Sequence, residues 1–82
     1  MFYVYVLKSR KDGRLYIGFT INLIKRFKEH RNGEVNCTKY RRPLELIYYE
    51  AYQTEKLART RERKLKHYGS AWRGLKNRLK LA

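Results

Sequence analysis

Two positions on the chain combine reactive side chains with helical spacing. Asn22, Arg26 and His30 recur every four residues, so on a helix they form one polar stripe. A guanidinium forks onto phosphate oxygens, and an imidazole takes or gives a proton near neutral pH. Arg26 and His30 on one stripe could therefore face a phosphate together; the same spacing also describes a solvated helix face. The second position is Glu62. It follows Ala58 by four residues and precedes Leu65 by three, on the flank of an apolar stripe made by Leu57, Ala58, Leu65 and Tyr68. A carboxylate there is half-covered and paired, or it points into a cleft where a hard cation can use it. Lys66, four residues on, offers the ordinary helix pair.

Other chemistries find no foothold. There is no Gly-rich phosphate loop of the Walker type, no paired Cys and His set for zinc, and no Ser-His-Asp signature. Hydrolysis of phosphodiesters by metals often uses two ions and several carboxylates. The chain has only seven acidic residues, thinly spread, so a metal here would be one ion helped by other groups. Cys37 is the single cysteine, which excludes an internal disulfide framework and fits a reducing compartment. It reads as a small half-buried side chain. The opening Met1-Phe2-Tyr3-Val4-Tyr5-Val6-Leu7 run is too short for a signal peptide or a membrane span, so the protein reads as cytoplasmic.

Charge names the class of partner. Twenty-one Lys and Arg against seven acids give +14 on 82 residues. Like charges crowded on a small body oppose folding, and a polyanion is the natural compensation, since each phosphate neutralised releases a condensed counterion. No helix shows the wide Trp- and Phe-bearing face of an interfacial membrane binder. Nucleic acid is the expected partner: DNA first, with RNA as the other candidate. The expected phosphate contacts are Arg10 and Lys11 at a hairpin, Lys39, Arg41 and Arg42 in a basic loop, and Lys66.

The elements that must position these residues follow from pattern. Eighty-two residues make one domain, 1–82, with a modest core. Phe2 to Lys8 is a β-branched and aromatic strand, apolar on both faces and so inside a sheet. Asp12-Gly13 predicts a two-residue type I′ turn into a strand from Arg14 to Gly18. That register sets Tyr16 opposite Ser9, about 13 Å along the strand from Tyr5 at about 3.3 Å per residue. Thr20 is expected to cap a helix running to about Arg31, ended by Gly33, with Ile21, Leu23, Ile24 and Phe27 facing the core. Glu34 to Arg42 is a polar, basic loop. Leu44 to Tyr52 is a third strand, apolar on both faces like a covered inner one. Thr54 caps a second helix to about His67, stopped by Gly69; Ser70 caps a third, with Trp72, Leu75 and Leu79 on one side. The order is β-β-α-β-α-α, an α+β domain with a three-stranded, mainly antiparallel sheet packed by helices.

These residues resemble a known family. Val4-Tyr5-Val6 followed by Tyr16-Ile17-Gly18 is similar to the paired strand motifs of the GIY-YIG nucleases. Arg26, His30 and Glu62 stand in the order in which that family keeps its Arg, His and metal-binding Glu. The resemblance covers almost the whole chain and is greatest to short, stand-alone bacterial members, which also carry a Thr-Lys-Tyr segment, here Thr38-Lys39-Tyr40. It implies a metal-dependent DNA endonuclease in which Tyr5 is the general base and Tyr16 and His30 hold or share its proton. Arg26 would stabilise charge on the phosphate, and Glu62 would hold one Mg²⁺, or Mn²⁺, on the leaving side. A phenol serves as a base near pH 7 only if neighbouring cations lower its pKa, and cations are abundant here. Two departures stand out. The first motif keeps only its tyrosine, and Phe19 replaces a Lys that some relatives carry. Asn77 is a loose counterpart of an Asn in the last helix. With no separate specificity domain, cutting would follow DNA structure rather than sequence, with repair or recombination as the setting. The alternative is a module that binds DNA or RNA and cuts little.

Overall fold

β1 (Phe2–Ser9) is the central strand, with β2 (Leu15–Thr20) and β3 (Leu44–Tyr52) paired antiparallel on either side, in the order β2-β1-β3. A strand covered on both faces needs apolar residues in both registers, and Val4, Tyr5, Val6 and Leu7 are all buried. The computed structural model describes residues 1–80. It adds α1 (Leu23–Arg31), a short 3-10 turn at Lys39–Arg41, α2 (Glu55–Lys66) and α3 (Ser70–Arg78), giving the expected order β-β-α-β-α-α. Among the described residues no helix is long and apolar enough to cross a membrane.

The period-2 alternation of β1 divides the interior into two cores. Tyr5, Leu7 and Leu44 pack with Tyr16, Leu23, Phe27 and Leu46 on the α1 side of the sheet. Val4, Val6 and Ile17 pack with Ala58, Leu65, Trp72 and Leu75 on the side of α2 and α3. β3 is an edge strand rather than an inner one. Its apolar run is explained by a bulge: Val6 pairs with Tyr48 and Leu7 with Leu46, so Ile47 is an extra residue. Ile47 and Tyr48 then both pack on the α2 and α3 core while Leu46 packs on the other.

The hairpin departs from the expected two-residue turn. Lys8 is the last paired residue before Leu15, and the Ser9 N–H donates to the Arg14 carbonyl at 2.8 Å. Only Gly13 is left-handed, at φ 75°. Side chains hold the longer loop instead. Ser9 Oγ accepts the Lys11 and Asp12 N–H groups at 3.2 and 3.3 Å, and Asp12 Oδ1 accepts the Arg14 N–H at 2.9 Å. The consequence is a new register: Tyr16 opposes Leu7, not Ser9, and Tyr5 opposes Gly18.

α1 begins later than expected. Asn22 is its cap, Oδ1 accepting the Lys25 N–H at 3.1 Å, while Thr20 Oγ1 accepts the Asn22 N–H at 3.1 Å in the turn before it. The face turned to the sheet is Leu23, Phe27 and His30, leaving Ile21 and Ile24 exposed. A histidine can occupy that inward position because both its ring nitrogens find partners, described below. Thr54 caps α2 as expected, through the Leu57 N–H at 3.2 Å. Leu57 and Tyr68 do not join its buried stripe. Tyr68, not Gly69, takes the left-handed residue after α2, its ring edge-on to Trp72 with centroids 5.9 Å apart. Gly69 is instead the N-cap of α3, whose first residue is Ser70. Trp72 and Leu75 are buried and Leu79 packs beside them, as the spacing implied. Cys37 is exposed rather than half-buried.

Candidate active site

The corrected register brings the two tyrosines together. Tyr5 projects from the centre of β1 across Gly18, where any Cβ would overlap its Cζ and hydroxyl. Glycine at this point of β2 is therefore a steric requirement of the Tyr5 phenol. Tyr16, one pair further along the same face, lies with its ring centroid 6.4 Å from that of Tyr5. His30 reaches in from α1, its ring 5.7 Å from Tyr5 and 5.3 Å from Tyr16.

His30 is fully buried and satisfied at both ends. Its Nε2 is 2.9 Å from the Tyr5 hydroxyl, and its Nδ1 is 2.7 Å from Thr38 Oγ1, which is also fully buried. A neutral imidazole carries one N–H. If Nδ1–H donates to Thr38, Nε2 accepts the Tyr5 hydroxyl; in the other tautomer Thr38 donates to Nδ1 and Nε2–H donates to Tyr5. Burial, reinforced by the nearby Arg26 guanidinium, pushes His30 down to about 4. Arg26 and His30 are thus neither a solvated stripe nor a pair of cations: the imidazole is neutral.

Tyr5 titrates in the direction opposite to expectation. Burial pushes it up to about 12; Arg26 pulls it down, and Tyr16 and the Glu62 carboxylate push it further up. The abundance of cations on the chain does not prevail because few of them reach a buried phenol. Arg26 itself is partly committed, Nη1 to Glu29 Oε1 at 3.0 Å.

Glu62 comes from α2. Its side chain is 12% exposed, with Lys66 Nζ at 3.0 Å and Arg59 Nη1 at 3.9 Å. The described residues hold no group of three or more His, Cys, Asp and Glu able to cage an ion. A cation of the Mg²⁺ type still fits, because such ions keep several waters and need only one or two carboxylates when a phosphate supplies the rest. Glu62 would be the carboxylate that such an ion needs, and its charge acts on Tyr5.

The remaining expected contacts divide. Lys66 is held by Glu62. Arg10, Lys11, Lys39, Arg41 and Arg42 assemble where the hairpin loop meets the 3-10 turn. Ser9 Oγ donates to the Arg41 carbonyl at 2.6 Å, and Lys11 Nζ to the Tyr40 carbonyl at 3.3 Å. Arg10 lies 3.7 Å from Glu45, and Arg41 3.8 Å from Asp12. Arg42 donates to the carbonyls of Lys39 and Arg31. Lys11, Lys39 and Arg42 line a shallow depression with Arg31 and Tyr40.

Two features escaped the sequence reading. Thr38 belongs to a segment read as polar loop, yet it and Val35 are buried; the Thr-Lys-Tyr segment was visible, but its partner, eight residues back, was not. On the opposite face of the sheet, Glu50 accepts the Tyr48 and Tyr52 hydroxyls, both at 2.6 Å, and is forked by Arg61 at 3.0 and 3.1 Å. Those bonds hold the Glu50 carboxyl below its usual range against the cost of burial. Tyr48, Glu50 and Tyr52 alternate along β3, a signal that one face carries a polar cluster. Arg61 thereby pins α2 one residue from Glu62.

The family model of the GIY-YIG catalytic domain matches residues 1–79, and the chain belongs to that family of nucleases. Its curated relatives include a UPF0213 protein of Staphylococcus saprophyticus, 40% identical over 67 residues that cover 80% of each chain. Another UPF0213 protein, from Clostridium perfringens, is 46% identical over 63 residues, 76% of this chain and 67% of that one. The solution NMR structure of a UPF0213 protein from Bacillus halodurans superposes with a TM-score of 0.59 at 30% identity, covering 98% of this chain and 86% of that one. The fold is therefore that of the UPF0213 branch.

Proposed function

We propose that the protein is a DNA endonuclease that hydrolyses phosphodiester bonds with one divalent cation, Mg²⁺ or Mn²⁺. The observation that carries this reading is the buried Tyr5–His30–Thr38 chain of hydrogen bonds beside Arg26 and Glu62. Tyr5 is the general base toward the attacking water, and Nε2 of His30 takes the phenolic proton when Nδ1–H donates to Thr38. Tyr16 shields and packs both rings. Arg26 faces the charge that develops on the phosphate, and Glu62 holds the cation. Bound there, a cation would supply positive charge to offset the charge that builds on the phosphate.

In the free protein the proton stays on Tyr5, since the phenol lies near 12 and the imidazole near 4. Activation therefore belongs to the substrate complex, where Arg26 favours the phenolate and a cation held by Glu62 would add positive charge. The same observation supports a second reading, a nucleic-acid-binding module on DNA or RNA that cuts slowly, because the resting base is far from competent. Cutting is expected to follow the shape of the DNA, since the basic patch offers phosphate contacts. Incubation with end-labelled duplex, branched and single-stranded DNA and with RNA, in Mg²⁺ or in chelator, separates the readings. Mg²⁺-dependent products from DNA support the enzyme; stable complexes without products support the binder.

A further inference from the structure

Phe19 follows Tyr16-Ile17-Gly18 on β2, and the structure shows what it carries. The guanidinium of Arg59, from α2, lies over the Phe19 ring with Cζ 3.9 Å from the centroid. Arg59 and Phe19 line an open cleft that crosses the β2 edge between α1 and α2, together with Thr20, Asn22, Lys25 and Arg26. Stacking uses the flat face of a guanidinium and leaves its N–H edge free to fork onto an anion. Among the described residues the carboxylate paired with Arg59 is that of Glu62, at 3.9 Å, too long for a hydrogen bond. Arg26, the other arginine of the cleft, is bonded to Glu29 at 3.0 Å. Glu29 and Glu55 also line the cleft, so its positive character depends on the cations that remain less committed.

We propose that Arg59, held over the Phe19 ring, is the phosphate-binding cation of the α1–α2 cleft. It stands between the strand it grips and Glu62, and brings a cation from α2 into the cleft. Phe19 is its platform, a positioning residue. This inference rests on the nucleic-acid reading of the site, and it adds a backbone contact distinct from the basic patch at the hairpin loop.

The test is fluorescence anisotropy with a labelled DNA oligonucleotide in chelator, over a salt series, for wild type, Arg59→Gln, Phe19→Leu, the double variant and Lys64→Gln. Lys64 is exposed on the same helix and controls for loss of one charge. Arg59→Gln is expected to raise Kd about tenfold and to flatten the slope of log Kd against log salt by about one phosphate contact. Phe19→Leu keeps every charge yet is expected to weaken binding about threefold. The double variant is expected to be no weaker than Arg59→Gln alone, because the platform has nothing left to hold. Thermal melts confirm that each variant is folded, and Arg59→Lys, which keeps the charge without the fork, should fall between wild type and Arg59→Gln. The proposal is overturned if Arg59→Gln binds like Lys64→Gln, or if the effects of Arg59→Gln and Phe19→Leu simply add. Strong wild-type binding with either result leaves the nuclease reading intact. Failure of the wild type to bind overturns both.

Discussion

At pH 7 the His30 imidazole is neutral, and that neutrality is part of folding. In the unfolded chain the ring takes a proton near its ordinary value of 6.5, whereas the folded ring resists until about 4. Its contribution is therefore fully present well above pH 6.5 and is lost as pH falls from there toward 4, by about 2 kcal/mol between pH 7 and 5. Urea denaturation at pH 7 and pH 5 should show this loss in the wild type and little of it in a folded His30→Gln variant. Parallel losses in the two proteins would place the pH dependence elsewhere. Glu62 makes a second residue-level claim. Glu62→Gln removes the charge, keeps the shape and releases Lys66, now 3.0 Å away. Cutting is expected to fall more than about 100-fold, as for loss of a key charged group, while binding in chelator is unchanged or tighter. Glu34→Gln and Glu45→Gln should cut like wild type; a comparable loss in either would place the cation on a different carboxylate.

Between residues and the molecule, the elements decide which side chains meet. Gly18 is where β2 yields to β1. Gly18→Ala drives a methyl into the Tyr5 phenol, so stability should drop by about 1–3 kcal/mol, typical of overpacking. Cleavage should fall with it even well below the melting temperature. A normal rate from a folded Gly18→Ala protein would show that Tyr5 need not lie over β2. Much of this scale was legible in the sequence. The apolar run of β1 marked the central strand, Thr54 marked α2, and Trp72 and Leu75 marked the inner side of α3. The hairpin register was not, because Asp12-Gly13 promises a tight turn while Ser9, whose hydroxyl organises the actual loop, sits inside a strand pattern. That register alone separated Tyr16 from Tyr5. The inward face of α1 was hidden for a related reason. Ile21 and Ile24 look like core and His30 like surface until Tyr5 and Thr38 are known to satisfy the ring.

For the molecule as a whole, the +14 charge and the GIY-YIG family point the same way. Nucleic-acid binding through phosphates should weaken steeply with salt and depend little on base sequence. Titration of a labelled oligonucleotide across a salt series checks it, and a nearly flat response would contradict phosphate-dominated binding. Tyr5, Tyr16, Arg26, His30 and Glu62 stood out in the sequence as candidates, but their arrangement did not. Thr38 on His30, Arg59 on Phe19 and Arg61 on Glu50 are contacts between separate elements, and the pattern within each element does not name the partner. The central claim is that the Tyr5 hydroxyl is the base. Its most direct test is the single-turnover rate of DNA cleavage at saturating Mg²⁺ for wild type, Tyr5→Phe and Tyr3→Phe, with thermal melts of all three. Tyr5→Phe leaves Nε2 of His30 without its partner, so a modest stability loss of about 1–3 kcal/mol is expected. The predicted result is a rate about 10²–10⁴-fold lower in folded Tyr5→Phe and near wild type in Tyr3→Phe. Wild-type cutting by a folded Tyr5→Phe protein would contradict it.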